Sequence, residues 1–116
     1  MPFVRLQTNE SLAIDVKKKI CAELSRTIAE SIKKPERYVM AVIDDDAFML
    51  HGGEGGPAAF IEVHSIGGLS PEVNQTLSER LCKVTAKLTT VAPARIFLNF
   101  VDVAATDWGH DGKTFG

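Results

Sequence analysis

From Pro2 to Thr8 the chain alternates apolar and polar positions around Val4 and Leu6, the period-two pattern of a strand with one buried face. Asn9 to Ser11 then offers side-chain oxygens suited to a helix start. From Leu12 to Lys34 the apolar residues Val16, Ile20, Leu24, Ile28 and Ile32 recur every four positions, and Cys21 and Ala29 widen the stripe. This spacing predicts a long amphipathic helix. Pro35 disfavours helical backbone at the residue before it, which ends the helix at about Lys33 or Lys34. The run Tyr38-Val39-Met40-Ala41-Val42-Ile43 has no polar alternation and reads as a second, mostly buried strand, closed by a solvated turn at Asp44-Asp45-Asp46.

The second half repeats this order. Gly52 to Pro57 is a loop by composition, and the strand that follows it does not supply the helix N-terminus that a phosphate cradle needs. Ala59 to Ile66 reads as the third strand and Gly67-Gly68 as a turn, while Ser70-Pro71 supplies an N-cap with proline at the first helical position. The second helix carries Val73, Leu77, Leu81, Val84 and Leu88 on one stripe and ends near Pro93. A fourth strand follows at Arg95 to Asp102, with Ile96, Leu98 and Phe100 on one face and Phe97, Asn99 and Val101 on the other. A glycine-rich tail runs from Trp108 to Gly116.

Strand, helix, strand thus occurs twice, as pseudo-repeats of about 2–45 and 59–102 within one domain spanning 1–116. The expected fold is α+β, a tandem β-α-β repeat forming a four-stranded mixed sheet with both helices on one face. The other face is then uncovered although apolar residues point both ways, so a symmetric homo-oligomer is the simplest cover.

Composition narrows the partners. With 116 residues, 45% hydrophobic and 24% charged, the chain has the makeup of one globular domain. A net charge of -2 gives no electrostatic footprint for nucleic acid, and Lys17-Lys18-Lys19 reads as a solvated helix face. No apolar run approaches the ~18 residues of a membrane span, and the start of the chain lacks the charged-then-apolar layout of a signal peptide, so residence in the cytoplasm is expected without membrane insertion. Cys21 and Cys82 lie in predicted helices as free thiols, and the three histidines are dispersed, so neither a metal site nor a cofactor is expected. Asn74-Gln75-Thr76 has the form of a glycosylation acceptor but sits inside a helix.

One position carries potential chemistry. A small second residue allows an aminopeptidase to remove Met1, leaving Pro2 with a free secondary amine at the start of an apolar strand. Such an amine begins near pKa ~8. Apolar walls or nearby cations push it towards the range where a general base works at neutral pH. If Met1 stays, the same nitrogen is a tertiary amide and has no basicity.

Pro2, Thr8-Asn9, Lys34-Pro35, Gly52-Gly53, His64-Ser65-Ile66-Gly67, Arg95-Ile96-Phe97-Leu98-Asn99-Phe100 and Thr114-Phe115, taken in order, resemble the macrophage migration inhibitory factor family of the tautomerase superfamily over essentially the whole chain. The resemblance implies a homotrimer with a pocket at each subunit interface, keto-enol tautomerisation of phenylpyruvate-type acids, and conversion of dopachrome derivatives. By the same resemblance Pro2 is the catalytic base, and Lys34 with the backbone N–H of Ile66 receives the carboxylate of a small keto or enol acid. Asn99 from the neighbouring subunit binds a polar group at the far end of the substrate, and Phe97, also from the neighbour, walls the ring with Trp108 and Phe115. Animal members also act as secreted cytokines without a signal peptide, so leaderless secretion and binding to a cell-surface receptor form the alternative function. Three positions depart from the animal pattern: Phe97 replaces a tyrosine, Trp108 lies two positions early with His110 in the aromatic's place, and Ala58-Ala59-Phe60-Ile61 replaces a Cys-x-x-Cys. The last removes the basis for thiol-disulfide exchange. His64 is expected to be a structural hydrogen-bonding residue.

Overall fold

Alternation at the start of the chain becomes strand β1 (Pro2–Thr8), with Pro2, Val4, Leu6 and Thr8 buried and the residues between them half-buried on the opposite side. In the computed structural model, which describes residues 1–116, β1 is followed by α1 (Ile14–Ile32), β2 (Met40–Asp44), β3 (Ala59–Ser65), α2 (Pro71–Leu88) and β4 (Ile96–Asp102). A short hairpin, β5 (Gly109–His110) and β6 (Lys113–Thr114), completes the chain. The main sheet has the order β2-β1-β3-β4. β1 runs parallel to β2 and antiparallel to β3, and β3 runs parallel to β4, so each parallel pair is joined by a crossover helix.

Both helices cover one face of this sheet. Val4 and Leu6 of β1 and Ile61 and Val63 of β3 are fully buried with Ile20, Leu24 and Ile28 of α1 and with Leu77 and Leu81 of α2. Each such side chain contributes about 1.5–3 kcal/mol when withdrawn from water. No helix is long and apolar enough to cross a membrane.

Several boundaries differ from the sequence reading, each for a visible reason. α1 begins at Ile14 without a side-chain cap. Asn9 is engaged elsewhere, accepting the Ala58 N–H at 2.9 Å and donating to the Gly56 carbonyl at 2.7 Å. Asp45 takes up the approach to the helix instead: it accepts the Leu12 N–H at 2.9 Å and lies 3.6 Å from the Lys17 ammonium. These two partners, the N–H first, hold its carboxyl below the usual aspartate range. Stabilisation from that contact is present above the ordinary aspartate pKa and is lost as pH falls through the lowered one.

Helix α1 ends as Pro35 requires, with Lys33 left-handed at φ 61° and its N–H on the Ala29 carbonyl. Glu36–Tyr38 is then a single 3-10 turn rather than strand, and β2 begins only at Met40. No residue of β2 is buried, contrary to expectation, and Met40 is 63% exposed. The cause is position, because β2 is an edge strand with a neighbour on one side only. In α2 the Ser70 hydroxyl accepts the Val73 N–H at 3.1 Å and Pro71 opens the helix, which stops at Leu88, short of Pro93. Thr85 is buried where Val84 was expected, its hydroxyl donating to the Leu81 carbonyl at 2.8 Å.

The uncovered sheet face is mixed rather than apolar. Register aligns three rows across it: Met40-Phe3-His64-Val101, then Val42-Arg5-Glu62-Asn99, then Asp44-Gln7-Phe60-Phe97. Arg5 reaches Glu62 at 3.1 Å and Asp44 at 3.6 Å, so an ion-pair cluster crosses the centre between rows rich in aromatic and apolar residues. Strict alternation in β1 and β3 places these charges together on the face away from the helices.

Two local features should be sensitive to small changes. Ser70→Ala removes the α2 cap and is expected to lower the unfolding free energy by about 1 kcal/mol. Gly68 has φ +80°, and an added Cβ would fall 2.4 Å from Cγ2 of the buried Ile32. Gly68→Ala should therefore cost more than the cap, about 1–3 kcal/mol. Urea unfolding of the two variants against the parent gives both values.

Candidate active site

Pro2 is the first residue of β1 and pairs with Ser65 at the end of β3. It is buried, and Met1 before it is half-buried. Proline is tolerated here because the first residue of a strand can lack a ladder N–H. Around this strand end lies a cleft of about 370 Å³, walled by Met1, Pro2 and Phe3, by Arg37 to Met40, and by Trp108, Gly109, His110 and Phe115.

Three segments converge here for local reasons. Parallel pairing sets Met40 beside Phe3, which brings the beginning of β2 next to the beginning of β1. Before it, the turn after Pro35 is closed by the Tyr38 N–H on the Pro35 carbonyl at 3.1 Å and the Val39 N–H on the Glu36 carbonyl at 2.9 Å. The tail turns back through Asp111 and Gly112, both with positive φ as a tight hairpin needs. The Phe115 N–H then bonds the Trp108 carbonyl at 3.0 Å. His110 stacks on Phe115 with centroids 5.9 Å apart and planes 13° from parallel. Trp108 also faces an adjoining hollow of about 260 Å³ with Phe3, His64 and Asp107.

The electrostatics shift the chain-start amine towards its neutral form. The amino group at the chain start is held below its ordinary value of 8.0, first by burial and second by the positive charge of Lys34. Both disfavour the ammonium form. Arg37 lies over the Tyr38 ring at 4.6 Å and donates to the Tyr38 hydroxyl at 3.2 Å. When uncharged, an amine in such a setting can accept a proton from a carbon acid, while nearby cations attract an anion.

The residues singled out from sequence are divided by the fold. Pro2, Trp108 and Phe115 share the cleft. Lys34, just beyond α1, is close enough for its charge to act on the chain-start amine. Ile66 follows the Ser65 that pairs with Pro2, in a bend fastened by the Ser65 hydroxyl on the Gly67 carbonyl at 2.6 Å and the Gly67 N–H on Asp102 at 3.1 Å. Phe97 and Asn99 lie elsewhere. They sit on edge strand β4 opposite Phe60 and Glu62, and Phe97 packs against His51 at 4.6 Å between centroids. From the level of Phe3 and His64 to that of Phe60 is four residues, roughly 13 Å along a strand. His64 meets Phe3 edge to face at 5.7 Å, an aromatic contact in place of the expected hydrogen bond.

Arg37, Tyr38, Met40 and Phe3 were missed as cleft residues. Tyr38 and Met40 belonged to a run that reads as buried strand, and only the preceding Pro35 signals that the chain is still turning there. The β-α-β order implies that β1 and β2 share a sheet, but the register that sets Met40 beside Phe3 is not visible in one sequence.

Comparison with known proteins follows the same outline. The family model described as macrophage migration inhibitory factor (MIF) matches residues 1–116. The chain is 31% identical over 115 residues to macrophage migration inhibitory factor of Meriones unguiculatus, covering 99% of each chain. It is 33% identical over 118 residues to the macrophage migration inhibitory factor homolog of Trichuris trichiura, covering 99% of this chain and all of that one. The crystal structure of the homologue from Prochlorococcus marinus superposes with a TM-score of 0.93 at 33% identity, over 98% of this chain and 99% of the other.

Lys34→Met removes one of the two causes that depress the chain-start amine. Its pKa should then rise towards the ordinary value without reaching it, since burial remains. A 15N NMR titration of the N-terminal nitrogen in both proteins measures the direction.

Proposed function

The chain belongs to the macrophage migration inhibitory factor family, and from that premise we propose that it is a keto-enol tautomerase of phenylpyruvate-type acids with the Pro2 nitrogen as base. The observation that carries this reading is the chain-start amine, seated in an aromatic-walled cleft where burial and then Lys34 disfavour its protonated form. Loss of Met1 would transfer the amine to Pro2, the next residue, which opens β1 in the same cleft, where burial and Lys34 would act in the same direction.

The reaction moves one proton. The neutral Pro2 amine removes it from the carbon next to the keto group while negative charge develops on the carbonyl oxygen. The resulting ammonium returns the proton to that oxygen, giving the enol, and the steps reverse for ketonisation. Lys34 and the Ile66 N–H would hold the carboxylate so that this carbon faces the nitrogen, and Trp108 and Phe115 would flank the ring. Burial increases the worth of the cationic field to the enolate.

Phe97 and Asn99 cannot serve the Pro2 of their own chain, because the sheet separates them from it. Both are exposed on an edge strand, Phe97 by 60%. In the proposed homotrimer the β4 edge of one copy would supply them to the cleft of the next. Dopachrome-type substrates would use the same base and walls.

Three proteins test this: one shown by intact mass to lack Met1, one retaining Met1, and Pro2→Gly. Phenylpyruvate turnover by the trimmed protein should fall by about a hundredfold or more in the other two. A correctly trimmed protein without turnover would overturn the enzyme reading and leave receptor binding as the function to pursue. Shared pockets add a second expectation. Pro2→Gly and Asn99→Ala subunits, each impaired alone, should regain activity when co-refolded, because some mixed interfaces then hold one intact set.

A further inference from the structure

Arg37 has no role in the chemistry just described, yet it lines the cleft that contains Pro2. It takes part in none of the protein's ion pairs. Its neighbour Glu36 is turned away, accepting the Ser25 hydroxyl at 2.9 Å, and no aspartate or glutamate lines the cleft. The guanidinium has a neighbour in the same turn, with its carbon 4.6 Å from the centre of the Tyr38 ring and one N–H on the Tyr38 hydroxyl. That contact engages one N–H and leaves the others available to grip a carboxylate in a fork. His110, stacked on Phe115, adds a second polar edge to the same cleft.

We propose that Arg37 binds a second carboxylate at the far end of the substrate, so that the cleft prefers aromatic 2-keto acids with two acidic groups. This rests on the tautomerase reading, in which Lys34 and Ile66 take the carboxylate next to the keto group and leave Arg37 unoccupied. A cleft of about 370 Å³ has room for a phenylpyruvate-sized body with one further carboxyl group. The aromatic walls fix the ring plane, and the anion at its distal end determines which ring is favoured. Arg37 acts here in binding and orientation and takes no part in the proton transfer.

Trp108 is the chain's only tryptophan and lies in this cleft, so its fluorescence reports occupancy. The test titrates trans-cinnamate and 4-carboxycinnamate, neither of which can enolise, into protein lacking Met1. The dicarboxylate should bind about tenfold more tightly, the scale of one charge-assisted contact. That ratio should fall to near one in Arg37→Gln and be partly retained in Arg37→Lys. Equal binding of the two ligands, failure of both to bind, or a preference that survives Arg37→Gln would each overturn the proposal. Because the readout requires no turnover, its outcome is separate from that of the phenylpyruvate assay.

Discussion

The cleft depends on β1 being paired along both edges. β2 holds one side in parallel register and β3 the other in antiparallel register, so the strand that begins with Pro2 has little freedom to move. A chain start is ordinarily the least ordered part of a domain. Here the ladders of two neighbours and the burial of Val4 and Leu6 beneath the helices offset that tendency. A terminal amine can serve as a positioned base only under such restraint, since a proton acceptor that moves by an ångström loses its alignment with the carbon it must deprotonate.

The same strand separates two electrostatic regimes. At its beginning the amine meets Lys34, Arg37 and aromatic walls, with no carboxylate in the cleft. Halfway along, on the face away from the helices, Arg5 is matched by Glu62 and Asp44. Positive charge is therefore neutralised in the middle of the sheet and left free at its end. An anionic substrate would be drawn to the free cations, and one of them, Lys34, adds to burial in lowering the pKa of the amine.

Much of the fold was legible along the chain. The four-residue recurrence of Ile20, Leu24, Ile28 and Ile32 marks α1, and Ser70-Pro71 marks the start of α2, because periodicity and capping depend on neighbours close in sequence. The misreadings share the opposite cause. Asn9 was free to cap a helix on paper, but distant Gly56 and Ala58 claim its amide. The run from Tyr38 to Ile43 is apolar enough for a central strand, yet sheet order puts it at an edge, where Met40 becomes cleft wall instead of core. Val84 and Thr85 exchange places because the orientation of α2 against the sheet favours the threonine, whose hydroxyl is satisfied by its own helix.

For the candidate site the division is similar. Pro2 could be named from its own position, as a proline that becomes a terminal amine once Met1 is lost, whereas Lys34, Trp108 and Phe115 were named through the resemblance to a family. That Arg37 and Tyr38 stand in the cleft beside Pro2 came only from the tertiary structure. Sequence by itself determined the two long helices, the four main strands in outline and the buried face of α1, because those outcomes follow from backbone geometry and from side chains a few residues apart. Sheet order, register and the side-chain competition they create were decided in three dimensions, where the burial of the whole core selects one pairing of strands from several that local pattern allows equally.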